Sequence, residues 1–317
     1  MISTLPVISL VGLRSADRDV RLETSSMLRA ACIDHGFFYL TDHGIPANEL
    51  RELLEATSTF FALPLEEKLL VDYRLSACNR GYEPMGAQTL QAGTAPDLKE
   101  GFYIGVDLPA DDRRVVAKVF NHGPNQWPLM PDSWKRTMLR YFEAMLELGA
   151  LLMGGIALSL RLPEDYFTPF CSDPVALLRL LHYPSQAASP RRNEKGCGEH
   201  TDWGAITFLL QDDVGGLQVF DNMAGWCDVT PMPGAFVVNL GDLLARWTND
   251  LYRSTRHRVV NQSGRERYSI PFFFDGNPDY RIECLPTCLP ENGIAKYAPT
   301  TQIEHLKEMY ARTYLTN

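Results

Sequence analysis

No pairing pattern organises the cysteines of this chain. Seven occur (Cys32, Cys78, Cys171, Cys197, Cys227, Cys284 and Cys288), an odd and scattered set without a Cys-x-x-Cys pair, which argues against a disulfide framework or a structural zinc. They read as reduced thiols, and Cys197, close in sequence to His200, reads as a small buried or loop thiol rather than a ligand. Positive charge is scarce as well: 30 Lys and Arg stand against 39 Asp and Glu, and the net charge of -9 repels nucleic acid and anionic lipid at long range. The expected partner is a small molecule. The N-terminal residues lack a basic region followed by a long apolar stretch, so neither a signal peptide nor a membrane anchor is expected and the cytoplasm is the default location. Internal repeats, low-complexity tracts and Gly/Ser linkers are missing too, which argues against a solenoid or a clean break between domains.

What is present suits a soluble globular protein. Of 317 residues, 45% are hydrophobic and 22% charged, enough apolar surface for a large core. Apolar residues three and four apart predict helices over 20–35, 48–61 and 133–160, so the first half reads mostly helical. In the third helix Trp134, Met138, Tyr141, Phe142, Met145, Leu148, Leu152 and Ile156 form one stripe, read as a core face. From about 177 the pattern changes to short runs rich in Val, Ile, Phe and Tyr between turn residues, predicting strands over 177–183, 205–211, 216–220, 235–240, 256–261 and 268–275. Many short strands with tight turns imply a jelly-roll sandwich or barrel, mainly β with flanking helices, an α+β arrangement. The expected organisation is an N-terminal helical and mixed region, 1–125, interlocked with a core over 126–317 that carries the long support helix and a C-terminal helix. Thr301 and Glu304 have capping-box spacing at the start of that last helix. A monomer or a homodimer is expected.

His200-Thr201-Asp202 sets an imidazole and a carboxylate two residues apart, and in extended backbone such residues project to the same side. His257 opens a second strand-like segment downstream and supplies a third ligand. Two histidines and one carboxylate, with positions left open, form the ligand set of non-haem Fe(II) oxygenases. A lone His-x-Asp arises often by chance, so the pair by itself decides nothing. His35, His43, His122 and His182 are assigned scaffold roles, and His305 lies in the terminal helix.

Arg267-Tyr268-Ser269 follows His257 by ten residues, across a Ser-Gly turn signal. A three-residue turn at 263–265, with Gly264 in the left-handed position, would pair 257 with 271 and put His257, Arg267, Ser269 and Pro271 on one face. That register aims an arginine fork and a hydroxyl at the metal cavity, as the far end of a dicarboxylate requires. Taken alone, Arg-x-Ser is equally a surface hairpin pair.

These features, together with Leu-Pro-Val-Ile-Ser-Leu at 5–10, Cys-Ile-Asp-His-Gly-Phe-Phe-Tyr-Leu at 32–40, Asp-Leu-Lys-Glu-Gly-Phe at 97–102, Leu-His-Tyr-Pro at 181–184, Gly-Gly-Leu-Gln-Val at 215–219, Asn-Leu-Gly-Asp at 239–242 and Arg-Tyr-Ser-Ile-Pro at 267–271, run nearly the whole chain. The sequence resembles the isopenicillin N synthase-like branch of the Fe(II)/2-oxoglutarate oxygenases. The resemblance implies a distorted double-stranded β-helix, with His200, Asp202 and His257 as iron ligands, and Arg267, Ser269 and Tyr183 on the cosubstrate. It implies oxidation of a C–H bond of a small molecule (hydroxylation, desaturation or ring formation) with O2 as oxidant and 2-oxoglutarate leaving as succinate and CO2. Ascorbate is a candidate stimulant. Halogenating relatives lack the carboxylate that Asp202 provides, which disfavours halogenation.

For the substrate, strand parity places Arg179 and Leu181 on the same side as Tyr183, facing the cavity, although Arg179 also fits an ion pair at the barrel mouth. Tyr82, Phe102, Tyr103, Phe272 and Phe274 are candidate aromatic lining, with Phe272 and Phe274 on the face opposite Ser269 and suited to core packing. Rival readings are a same-fold oxidase drawing electrons from substrate or ascorbate, a zinc hydrolase or cupin-like isomerase, and a metal-free binding module.

Overall fold

The long apolar stripe read at 133–160 is a helix, Asp132–Ser159, and all eight of its stripe residues are buried. The structure, a computed structural model, describes residues 5–91, 93–185 and 195–314. The helix is long and apolar enough to cross a membrane by length and composition, but 61% of its most apolar window is buried inside the protein. Phe142 on it meets Phe272 with ring centroids 5.2 Å apart, and a side chain at Gly149 would collide with the ring of Phe274. One face of the main sheet is thereby sealed against a helix, leaving the other for a cavity.

The strands of the two larger sheets are β1 (Val7–Ser9), β2 (Phe37–Thr41), β3 (Gly81–Glu83), β4 (Glu100–Gly105), β5 (Val175–Tyr183), β6 (Cys197–His200), β7 (Ile206–Gln211), β8 (Leu217–Asp221), β9 (Gly225–Asp228), β10 (Phe236–Leu240), β11 (His257–Val259) and β12 (Arg267–Gly276). Eight of them form one sheet in the order β1-β2-β10-β7-β12-β5-β4-β3, and four form a second in the order β6-β11-β8-β9. Antiparallel pairing dominates, with β1 beside β2 the parallel exception in the main sheet. The two sheets make the distorted jelly roll with flanking helices expected from the strand pattern, and the strands do not close into a continuous barrel. At the C-terminus, the helix Gln302–Tyr314 begins behind a capping box in which Thr301 N–H donates to Glu304 and Glu304 N–H donates to the Thr301 hydroxyl.

Two expectations are corrected. The first half carries the three expected helices, but it also contributes four short strands that were not expected, β1 to β4, all of which join the main sheet. β2 is covered on both faces, so Phe37-Phe38-Tyr39-Leu40 reads as a continuous apolar run without the alternation that marks a half-exposed strand. The hairpin between 256–261 and 268–275 does not form either. β11 pairs with β6 and β8 while β12 pairs with β5 and β7, so 260–266 crosses from one sheet to the other. Gly264 does adopt a left-handed φ of 74° in that crossing. The inward faces of the two sheets still bring His257 and Arg267 to one cavity, by sandwich geometry instead of hairpin register.

Candidate active site

His200 ends β6, His257 opens β11, and the two stand directly opposite in the ladder. Asp202 follows β6 by two residues. Its Oδ1 lies 3.7 Å from His200 Nε2 and 3.6 Å from His257 Nε2, and one ligand atom from each residue falls within 4.8 Å of the others. The Nδ1 atoms are 2.8 Å from the Gly198 carbonyl and 3.1 Å from the Thr255 carbonyl. A carbonyl only accepts, so each Nδ1 carries the proton and each Nε2 presents a lone pair to the centre. Asp202 Oδ2 accepts from Thr207 at 2.6 Å and Asn239 at 2.7 Å, which leaves Oδ1 for a metal.

Electrostatics agree with this geometry. Burial, then the neighbouring His200, pushes His257 down to about 4, and burial also lowers His200. Burial acts to raise Asp202, yet the two histidines and the bonds from Asn239 and Thr207 outweigh it and hold the carboxyl low. At neutral pH the set is two neutral imidazoles and one carboxylate, the protonation that a divalent metal requires. Cys197 stays outside it: its Sγ is 3.9 Å from His200 Nδ1, the ring nitrogen turned away from the centre, and burial pushes its thiol up to about 11.

Deeper in, a narrow cavity is lined by Tyr183, Leu181, Arg267, Ser269 and the three triad residues. Arg267 is fully buried. Its Nε donates to the Gly215 carbonyl at 2.6 Å, its Nη2 to Gln211 at 3.2 Å and its Nη1 to the Ser269 hydroxyl at 3.1 Å, while its guanidinium lies 4.8 Å from the Tyr183 ring centre. Among the described residues no carboxylate lies within ion-pair distance of it. A buried cation held by neutral groups calls for an anion from outside, and its fork suits a carboxylate. Lys99 reaches the same cavity, paired with Asp97 and 3.5 Å from Cys197 Sγ. Asp97 in turn accepts from the Gly198 N–H at 2.8 Å, tying 97–99 to the strand that carries His200.

Outward from the triad a second cavity of about 230 Å³ is lined by Tyr73, Tyr103, Arg179, Trp203, Phe273 and Asp275, with His200 and Asp202 at its floor. Arg179 is both things expected of it. It faces the cavity, and it is ion-paired to Glu83, bonded to Gln88 and set 4.5 Å from the Tyr103 ring centre. Tyr103 therefore lines the cavity, and Leu181 lines the inner one. Tyr82, Phe102, Phe272 and Phe274 line neither and belong to the core. Tyr82 donates to Glu100 at 2.6 Å, Phe102 packs on Phe60 at 4.6 Å, and Phe272 and Phe274 face the helical layer as their parity requires. Sequence reading passed over Lys99, Trp203, Thr207, Asn239, Phe273 and Asp275. Phe273 shares parity with Ser269, a signal that was available, and Trp203 adjoins Asp202.

Comparison with known proteins fits this geometry. Residues 5–129 match the family model described as the non-haem dioxygenase in morphine synthesis N-terminal region, and residues 172–276 match that of the 2OG-Fe(II) oxygenase superfamily. A 2-oxoglutarate-Fe(II) type oxidoreductase of Emericella nidulans is 44% identical over 98% of this chain and 90% of its own length. A 2-oxoglutarate-dependent dioxygenase of Monascus ruber is 40% identical over 95% and 93%. Among solved structures, a full-length Neurospora crassa protein in complex with alpha-KG and thymine superposes with a TM-score of 0.87 at 32% identity, covering 98% of this chain and 97% of that one.

Proposed function

The chain belongs to the 2OG-Fe(II) oxygenase superfamily, and from that premise we propose that His200, Asp202 and His257 hold its iron, that Arg267, Ser269 and Tyr183 hold the distal carboxylate of its 2-oxoglutarate, and that a compact planar molecule is oxidised in the cavity lined by Tyr103, Trp203 and Phe273. As a 2-oxoglutarate-dependent oxygenase it oxidises a small molecule while 2-oxoglutarate is converted to succinate and CO2.

Held by His200, Asp202 and His257, Fe(II) would supply the redox capacity that couples a 2-oxoacid and O2 to cleavage of a C–H bond. The chain's contribution is placement. Gly198 and Thr255 fix the ring orientations of the two histidines, and Thr207 and Asn239 fix the rotation of Asp202. Gly215 and Gln211 hold the Arg267 fork still before any anion arrives, so little ordering entropy is lost on binding. The apolar walls of the inner cavity (Leu181, Leu209, Leu217, Val259) exclude water and strengthen every charge interaction inside it.

One observation carries the reading: a fully buried arginine without a carboxylate partner among the described residues shares one cavity with the triad. A 2-oxoacid with a second carboxylate satisfies both ends at once. That also favours consumption of 2-oxoglutarate over an oxidase that dispenses with it. The planar substrate rests on the aromatic walls and on the Neurospora crassa relative, whose complex contains thymine. The test is succinate release from 2-oxoglutarate with added Fe(II) in air, measured across a set of small planar compounds with mass detection of product. Succinate in equal amount to oxidised product supports the proposal; product without succinate overturns it.

A further inference from the structure

Asp275 is a buried carboxyl that nothing in the mechanism uses. It is 8% exposed, lines the outer cavity, and its Oδ1 finds no hydrogen-bond partner among the described residues. Its position is built for it in two ways. Between Phe274 and Gly276 the register of β12 against β5 slips, Phe274 standing opposite Ala176 and Gly276 opposite Val175, so Asp275 is the extra residue of a β-bulge. Gly276, at φ 76°, completes the bend. Across from it, a side chain at Gly204 would collide with Asp275 Oδ1, so the carboxyl has its place only because residue 204 has no Cβ. Burying a carboxyl with one oxygen unpaired costs free energy, and an apolar residue would fill the same space more cheaply.

The strand ladder says what lies beside it. Facing inward along β12 come Ser269, Pro271, Phe273 and Asp275, in that order. Ser269 stands opposite Leu181, Phe272 opposite Leu178 and Phe273 opposite Leu177, which puts Arg179 opposite Pro271. The β5–β12 wall of the cavity therefore presents the Arg179 guanidinium, then the Phe273 ring, then the Asp275 carboxyl, with about 13 Å of strand between the first rung and the last. A flat molecule lying on Phe273 has a donor group at one end of its bed and an acceptor at the other.

We propose that Asp275 is a substrate-binding residue, accepting a hydrogen bond from an N–H or O–H group at the end of a compact planar substrate whose opposite end carries an acceptor directed to Arg179. This rests on the cavity beside the triad being the substrate site. The bound donor adds a hydrogen bond to a carboxyl on which only the Ala205 N–H otherwise acts, so substrates without one gain nothing there and are disfavoured.

The test uses the intact protein loaded anaerobically with Fe(II) and 2-oxoglutarate, with two probes of nearly equal shape, 4-hydroxybenzoate and 4-fluorobenzoate. Their binding is read from the change each causes in the visible charge-transfer band of the Fe(II)–oxoacid chelate. Wild type is expected to bind the hydroxyl probe about tenfold more tightly than the fluoro probe, Asp275→Asn to keep part of that preference, and Asp275→Leu to lose it. The chelate band is expected in all three proteins, which shows that they fold and load. Equal binding of the two probes by wild type, binding of neither, or a preference that survives in Asp275→Leu overturns the assignment while the band leaves the cofactor reading standing. Absence of the band from wild type overturns the cofactor reading and this one with it.

Discussion

His200 and His257 face each other directly across the β6–β11 ladder, with ring centroids 4.2 Å apart, so one cross-strand pair presents two of the three proposed iron ligands. The pair is held from outside the centre, each ring by a backbone carbonyl on its own segment. His257→Ala is expected to abolish iron binding and turnover and to leave the fold intact, since it shortens a neutral side chain that lines a cavity. Equilibrium dialysis with Fe(II) and circular dichroism check the two halves of that statement.

Thr207 and Asn239 are the next test. Both donate to the same oxygen of Asp202, so losing either frees the carboxylate to rotate. Thr207→Val and Asn239→Ala should each weaken iron about 10- to 100-fold without removing a ligand. Unchanged Fe(II) affinity in both variants would show that the aspartate is held by something else.

Arg267→Ala removes charge-assisted contacts expected to be worth about 1.5 to 3 kcal/mol to a bound carboxylate. The loss should fall on 2-oxoglutarate and not on 2-oxobutyrate, which has no distal carboxylate, so the ratio of their binding constants should collapse toward one. Tyr183→Phe should move the same ratio less, because it removes a neutral hydroxyl that bonds to Ser269. A variant that weakens both oxoacids equally would place Arg267 in support of the fold instead.

The metal-free protein should show a pH-dependent stability traceable to Asp275. Burial first, then the charge of Asp202, raises its carboxyl to about 7 from an ordinary 3.8, against which only the Ala205 N–H acts. The folded state thus binds a proton that the unfolded chain releases between those values. Asp275 costs nothing below about pH 4, becomes progressively destabilising up to about 7, and is level above that. Urea unfolding of wild type and Asp275→Asn should show the variant gaining stability relative to wild type across that window, by a few kcal/mol at order of magnitude. A constant difference between the two proteins would sink this.

The convergence of the proposed metal ligands was legible in the sequence because two of them are local, and an i, i+2 pair in extended backbone shares a face whatever the sheet does. Arg267 and Ser269 were legible for the same reason. Their relation to His257 was not: reading 263–265 as a hairpin turn assumed that strands adjacent in sequence pair, whereas the jelly roll sends β11 and β12 to opposite sheets. The residues meet in one cavity for a different reason. β2 was missed because a strand buried on both faces carries no alternation, and β3 because three residues are too few to show any. Thr207 and Asn239 sit singly within apolar strands, and only the fold reveals that both point at Asp202. Asp275 depends on a bulge and on Gly204, two long-range conditions that no local pattern announces.

The most direct test of the site as a whole is anaerobic titration of the protein with Fe(II) and 2-oxoglutarate, followed by the visible charge-transfer band of the chelate. One band saturating at one iron per chain is predicted for wild type, absent in His200→Ala, Asp202→Ala and His257→Ala, and needing much more 2-oxoglutarate in Arg267→Ala. A full-strength band in any of the three triad variants, or an unshifted titration in Arg267→Ala, would contradict the assignment.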